Sequence, residues 1–236
     1  MRCAGGLSAL CVTLLCAAPL AAQSGTPQQT QFWPEIDYFQ RLNEYARLFA
    51  SAQWSLQGLP GQQDEQYGLS FDFTYLRRFI PATLLGAHAL EDDRREWAQL
   101  RVGYRYNETI NVDTATITNR ILTELTTRGN IRKVFVADRN GFDWRWIDGV
   151  YSTRYRNRVD AQIASSLWGY RLTPYSNCEW AYVLGRSGWS SVKCELGAEL
   201  PVLVHVSVLP YFGILNTWQG NRVNTDAFGL TIVASF

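Results

Sequence analysis

Phe228-Gly229-Leu230-Thr231-Ile232-Val233-Ala234-Ser235-Phe236 closes the chain, and its alternation decides the fold class. Phe228, Leu230, Ile232, Ala234 and Phe236 fall at every second place, with Gly229, Thr231, Val233 and Ser235 between them. Side chains of an extended strand point alternately to its two faces, so one face here is apolar and the other small or polar. Carried back through Ala227 and Thr225, the small face stays uncharged. Small residues there leave room for long arginines reaching in from other strands.

The same period recurs upstream. Phe32, Pro34, Ile36 and Tyr38 alternate with Trp33, Glu35, Asp37 and Phe39; Ala46, Leu48, Ala50, Ala52 and Trp54 with Arg47, Ser51 and Gln53. Tyr67, Leu69, Phe71, Phe73 and Tyr75 oppose Gly68, Ser70, Asp72 and Thr74, and Leu100, Val102, Tyr104 and Tyr106 oppose Arg101, Gly103 and Arg105. In residues 151–163 the polar face is dense with Arg154, Arg156, Arg158, Asp160 and Gln162, while Thr153 and Asn157 break the apolar one. Val202, Val204, Val206, Val208, Phe212 and Ile214 read as the face of a penultimate strand, after a short turn at 199–202.

Composition narrows the class. Met1-Arg2, an apolar run from Leu7 to Leu20 and the small pair Ala21-Ala22 form a secretory signal peptide spanning 1–22, leaving a single domain over 23–236. Cleavage there takes away one of the 22 basic residues and none of the 21 acids, so the remaining chain is neutral. A neutral chain lacks the basic stripe that a nucleic-acid partner requires, and none is expected. Aromatics at 14% are high and charged residues at 18% low for a water-soluble domain. Exported, aromatic-rich and alternating, the chain fits a transmembrane antiparallel up-and-down β-barrel better than a secreted sandwich. Strands of ten or more residues, with Trp33, Tyr45, Trp54, Tyr67, Trp144, Trp146 and Trp180 near their ends as interface girdles, agree.

Strand candidates lie near 32–41, 45–55, 67–78, 82–90, 96–108, 114–127, 131–138, 142–148, 151–165, 175–184, 189–199, 202–215 and 223–236. Short turns at 41–44, 171–174 and 199–202 should share one side, and the longer links 56–66 and 216–222 the other. That bookkeeping leaves an odd number, which an all-antiparallel barrel cannot close. The expectation is therefore 12 strands, with 10 the alternative.

One hairpin can be set in register. A tight turn around Arg186 places Cys178 opposite Cys194, Trp180 opposite Val192 and Glu179 opposite Lys193. Opposed residues of an antiparallel pair come close enough for a cross-strand disulfide, and an exported compartment permits one. The alternative is two free thiols on the apolar face.

Strand parity sends Arg101, Arg105, Arg120, Arg154, Arg156 and Arg158 inward, together with Glu35, Asp37, Asp72, Glu124, Asp160, Glu179 and Glu195. Charges inside a small barrel must be paired or hydrated, since an isolated one in low dielectric is costly. A salt-bridge network that fills the lumen is one reading. A narrow passage in which Arg154, Arg156 and Arg158, with Arg101 and Arg105, favour anions is the other. Balanced internal charge favours the plug. His205 and Ser207 share a strand face on this parity, the spacing of a base and nucleophile in a lipid-modifying barrel enzyme, but no acid stands ready to orient His205. Catalysis, a metal site and a cofactor are not expected, and the small-molecule ligand stays open.

Two resemblances add an address. Phe228, Leu230, Ile232 and the terminal Phe236 resemble the signal by which outer-membrane barrels engage their assembly machinery. Phe32-Trp33-Pro34-Glu35-Ile36-Asp37 running into Arg41-Leu42-Asn43, the Gly103-Tyr104-Arg105-Tyr106 strand, Asn119-Arg120 with Glu124, and Arg154-Tyr155-Arg156-Asn157-Arg158 resemble an uncharacterised outer-membrane family, domain of unknown function 2490. The likeness implies a barrel in the cell outer membrane, with its lipid and the assembly machinery as partners, and no activity. The two cysteines, and an insert at 135–146, depart from that pattern.

Overall fold

The computed structural model describes residues 28–57, 63–75, 97–110, 115–167, 170–186, 188–218 and 223–236. The signal peptide at 1–22 and the strand candidate at 82–90 lie outside them. The described residues form β1 (Gln28–Arg41), β2 (Ala46–Gln57), β3 (Gln63–Tyr75), β4 (Ala98–Ile110), β5 (Ala115–Ile131) and β6 (Val134–Ile147). They continue with β7 (Val150–Ile163), β8 (Ser165–Leu167), β9 (Tyr170–Val183), β10 (Ser191–Leu203), β11 (Val206–Thr217) and β12 (Val223–Ser235).

Eleven of these strands close into a barrel, and the short β8 stands outside it, paired only with β9. The expectation of 12 antiparallel barrel strands is corrected on both points. Every neighbouring pair is antiparallel except the closing one, where β1 and β12 run parallel from Gln28↔Asn224 to Phe39↔Ser235. An odd number of up-and-down strands leaves the first and last pointing the same way, so closure has to be parallel. Phe236 extends the seam: its N–H donates to the Phe39 carbonyl at 2.9 Å, and its carbonyl accepts from Arg41 N–H at 2.7 Å.

Turns at 42–45, 132–133 and 204–205 share one end of the barrel with Phe236; the turn at 148–149 lies at the other, with Gln28. Asn43 shapes the first by accepting the N–H groups of Tyr45 and Ala46 at 2.8 and 2.9 Å. The turns expected at 171–174 and 199–202 are strand instead. Pro174 pairs with Ala198 inside the sheet, and Pro201 sits where β10 bulges against β11. Consequently Val202 belongs to β10 and Val204 to the turn, and neither lies on β11 with Val206.

Polarity is inverted relative to a water-soluble domain. Phe228 is 60% exposed while its neighbour Ala227 is fully buried. Leu69, Phe71, Phe73, Leu100, Val102, Tyr104, Ile121 and Leu125 are likewise exposed outward, while Ser70, Asp72, Gln99, Arg101 and Glu124 are buried inward. The outward band is interrupted on β6 and β7, where Asn157 donates to Asp138 at 2.7 Å and to Asn140 at 3.1 Å. Trp33, expected in a girdle, points inward: it is 3% exposed and donates its indole N–H to Gln31 at 2.6 Å.

Cys178 and Cys194 are joined by a disulfide between β9 and β10. The hairpin register places Trp180 opposite Val192 and Glu179 opposite Lys193.

Candidate functional site

Among the described residues charge gathers in the lumen, whose lining divides into two sectors. From β9 round to β1 it is aromatic. Tyr175, Gly197, Tyr211, Gly229 and Trp33 face one another in a single row across β9, β10, β11, β12 and β1. The glycines let the rings lie flat against backbone: a Cβ on Gly229 would stand 1.9 Å from the Tyr211 ring, and one on Gly197 2.8 Å from the Tyr175 ring. The small face of β12 therefore receives Tyr211. This replaces the expectation that arginines fill it. Lys193 caps the sector, 4.5 Å from the Trp33 ring centre and 2.6 Å from Glu195, which also accepts from Asn177 at 2.8 Å.

The other sector is ionic. Asp72 on β3, 1% exposed, accepts from Arg101 at 2.6 and 2.9 Å and forms a second pair with Arg47 on β2 at 3.0 Å. Each guanidinium also stacks on a ring, Arg101 at 4.0 Å over Phe49 and Arg47 at 4.6 Å over Phe39. Cation–π contact in a water-poor site adds to the ion pairs it accompanies. Gln99 accepts from Arg128 and from Arg47 beside them.

Asp143 on β6 is the second hub. It is 1% exposed and holds Arg154 at 2.6 Å and Arg156 at 3.0 Å. Arg156 reaches on to Glu179 at 3.0 Å and to Glu124 at 3.9 Å. Arg139 links Glu124 at 3.9 Å with Asp160 at 3.2 Å, and Asp160 also holds Arg158 at 2.9 Å. One connected network thus crosses β5, β6, β7 and β9.

Of the arginines expected in an anion-favouring ladder, Arg101, Arg154, Arg156 and Arg158 are each neutralised by a carboxylate. Arg105 has no carboxylate partner among the described residues, nor has Arg120, which was expected inward but not in that ladder. Arg120 donates to the side-chain amide oxygens of Gln66 and Asn107, at 3.1 and 3.3 Å. Asp143, Arg139 and Arg47 are network members that sequence reading left out of the charge set, two of them because 135–146 was taken for an insert; Arg145, in the same stretch, stands outside the network.

His205 does not stand on a strand face with Ser207. It occupies the 204–205 turn and stacks on Phe236 with ring centres 5.2 Å apart. Its parity with Ser207 was counted through a turn.

What this interior can do chemically is hold rigidly. Every long cation of the central network meets a carboxylate, and the facing rings occupy the remaining sector. Neither a protein-family model nor a curated protein matches the chain.

Proposed function

We propose that this protein is an integral outer-membrane β-barrel, exported through a cleaved signal peptide, whose lumen is filled by its own side chains. Its role is structural or one of narrow transport or sensing, without catalysis. The observation that carries this is the inversion of polarity: aromatic and aliphatic side chains cover the outside of a closed barrel while carboxylates and guanidiniums are buried within. Water outside such a surface would leave a large apolar area exposed, whereas hydrocarbon would cover it. Strands of 12 to 17 residues in the barrel are long enough to cross a bilayer at a tilt. The terminal pattern of Phe228, Leu230, Ile232 and Phe236 supports recognition by the barrel assembly machinery, and the likeness to domain of unknown function 2490 supports the same address.

Reconstitution in planar bilayers tests the filled lumen. A protein of this kind inserts, resists denaturant when folded, and passes no steady current at modest voltage; reproducible conductance steps from inserted protein would overturn the plug. A second reading, a narrow anion-preferring passage, is favoured by Arg105 and Arg120, which lack carboxylate partners among the described residues. In that case steps appear, and Arg105→Gln with Arg120→Gln lowers the anion preference.

A further inference from the structure

Three inward-facing arginines stand directly opposite one another on consecutive strands: Arg105 on β4 pairs in register with Arg120 on β5, and Arg120 with Arg145 on β6. Like charges facing one another across a sheet destabilise it. Elsewhere in the lumen that cost is met by a carboxylate, but among the described residues no salt bridge joins any of these three to one. Their Nε atoms are all buried and without a hydrogen-bond partner, as is the Ser152 hydroxyl, which sits opposite Arg145 on β7. Asp143, the acid nearest in sequence on β6, is shared by Arg154 and Arg156.

The row leads into a cavity. A space of about 600 Å³ at the end of the barrel away from Phe236 is lined by Arg145, Ser152, Val183, Arg186, Tyr151 and the acidic Asp148, whose Oδ1 accepts the Ile117 N–H. Arg145 lies two residues from the end of β6, whereas Arg105 lies near the middle of β4, so the row descends from this mouth into the barrel. Adjacent strands are about 4.8 Å apart, so the three backbones span about 10 Å. Gly68, opposite Arg105, makes room for that arginine's stem: a Cβ there would stand 2.7 Å from Ser51 Oγ and 3.3 Å from Arg105 Cγ.

We infer that this mouth is a binding site for a small multivalent phosphate-class oxyanion. Arg145 and Ser152 would meet it first, and Arg120 and Arg105 would hold its inner end. Guanidinium groups bind such oxyanions through paired charge-assisted hydrogen bonds, which would satisfy the orphaned Nε donors together with the repelling charges. The central network below the row closes the way through, so the anion is held and not passed. The site stands on the barrel's interior geometry alone, so its failure would leave the membrane reading untouched.

The shared chemistry, a phosphate, comes either from solution or from a lipid headgroup. The test uses the full chain folded into nanodiscs of phosphatidylcholine, titrated calorimetrically with pyrophosphate at low ionic strength. Wild type should bind saturably at one site, and Arg120→Gln and Arg145→Gln should each weaken binding at least about tenfold, equivalent to about 1.4 kcal/mol. Arg41→Gln, at the opposite end of the barrel, should leave it unchanged. Nanodiscs containing phosphatidic acid form the second arm. If headgroups occupy the site, pyrophosphate affinity falls there for wild type; if the ligand is free, it does not. Absence of saturable binding by wild type, or equal binding by folded Arg145→Gln, would overturn the site. Should Arg120→Gln fail to fold, Arg145→Gln at the mouth decides alone.

Discussion

Asp143→Asn removes a charge from the centre of the network while keeping its shape. The carboxylate is 1% exposed and touches Arg154 at 2.6 Å and Arg156 at 3.0 Å. At an effective dielectric constant of about 20, a pair about 3 Å apart is attracted by roughly 5 kcal/mol. Part of that gain is offset by the desolvation of Asp143 itself. Arg156 keeps Glu179 at 3.0 Å, but Arg154 has no other carboxylate partner among the described residues. The substitution thus strands one part-buried guanidinium, and because the carboxylate it loses is fully enclosed the net loss should be about 3 kcal/mol, the low end for a buried pair. Guanidinium unfolding from lipid vesicles, followed by tryptophan fluorescence, should show this as a lower midpoint at unchanged slope. The double variant Asp143→Asn/Arg154→Gln strands no charge and should lose much less than the sum of its single variants. A loss below about 1 kcal/mol in Asp143→Asn, the worth of a solvated pair, would mean that water fills the lumen and the plug is wrong.

The aromatic sector makes an equally sharp demand. Gly229→Ala drives a Cβ into the Tyr211 ring, so it should destabilise by about 1–3 kcal/mol in the same unfolding assay, and Tyr211→Ala/Gly229→Ala should recover part of the overpacking cost. Gly103→Ala meets the Leu69 carbonyl at 2.6 Å and the Ser70 side chain at 2.0 Å, and should be comparably damaging. Reducing the Cys178–Cys194 bridge, which closes a hairpin with a sequence separation of 16, should cost about 3 kcal/mol, read as a fall in denaturation midpoint with dithiothreitol that Cys178→Ser lacks. Phe236→Ala removes the ring stacked by His205 and met by Tyr38, and should lower the yield of folded barrel in outer membranes more than it lowers denaturant resistance.

β3 and β4 were legible because every inward residue from Gly68 to Asp72 and from Gln99 to Arg105 is small or polar and alternates with a large apolar one. β6 was not. Near its start Phe135 and Ala137 are buried inward while Asp138 and Asn140 face out; past Gly141 the sense returns, with Asp143 in and Phe142 out. A hydrophobic period that reverses mid-strand reads as two short strands or an insert, and Asp143 and Arg145 went unplaced with it. Parity also failed at 204–205, where Val204, His205 and Val206 sustain an apolar look through a turn. The barrel's odd count was visible only as an apparent error, because no local pattern reports that the first and last strands run parallel. The rows of three arginines and of rings on glycines became visible only with cross-strand register. Opposing residues are separated by interstrand links of varied length, which spacing along the chain does not encode.

Nitroxide labels at Leu69, Phe71, Val102, Ile121 and Phe228, introduced one at a time as cysteines into protein folded in lipid vesicles, test the central claim most directly. All five residues face outward on β3, β4, β5 and β12. The account predicts frequent collisions with lipid-soluble oxygen and few with a water-soluble nickel chelate at every site; preferential collision with the chelate around the barrel would contradict it.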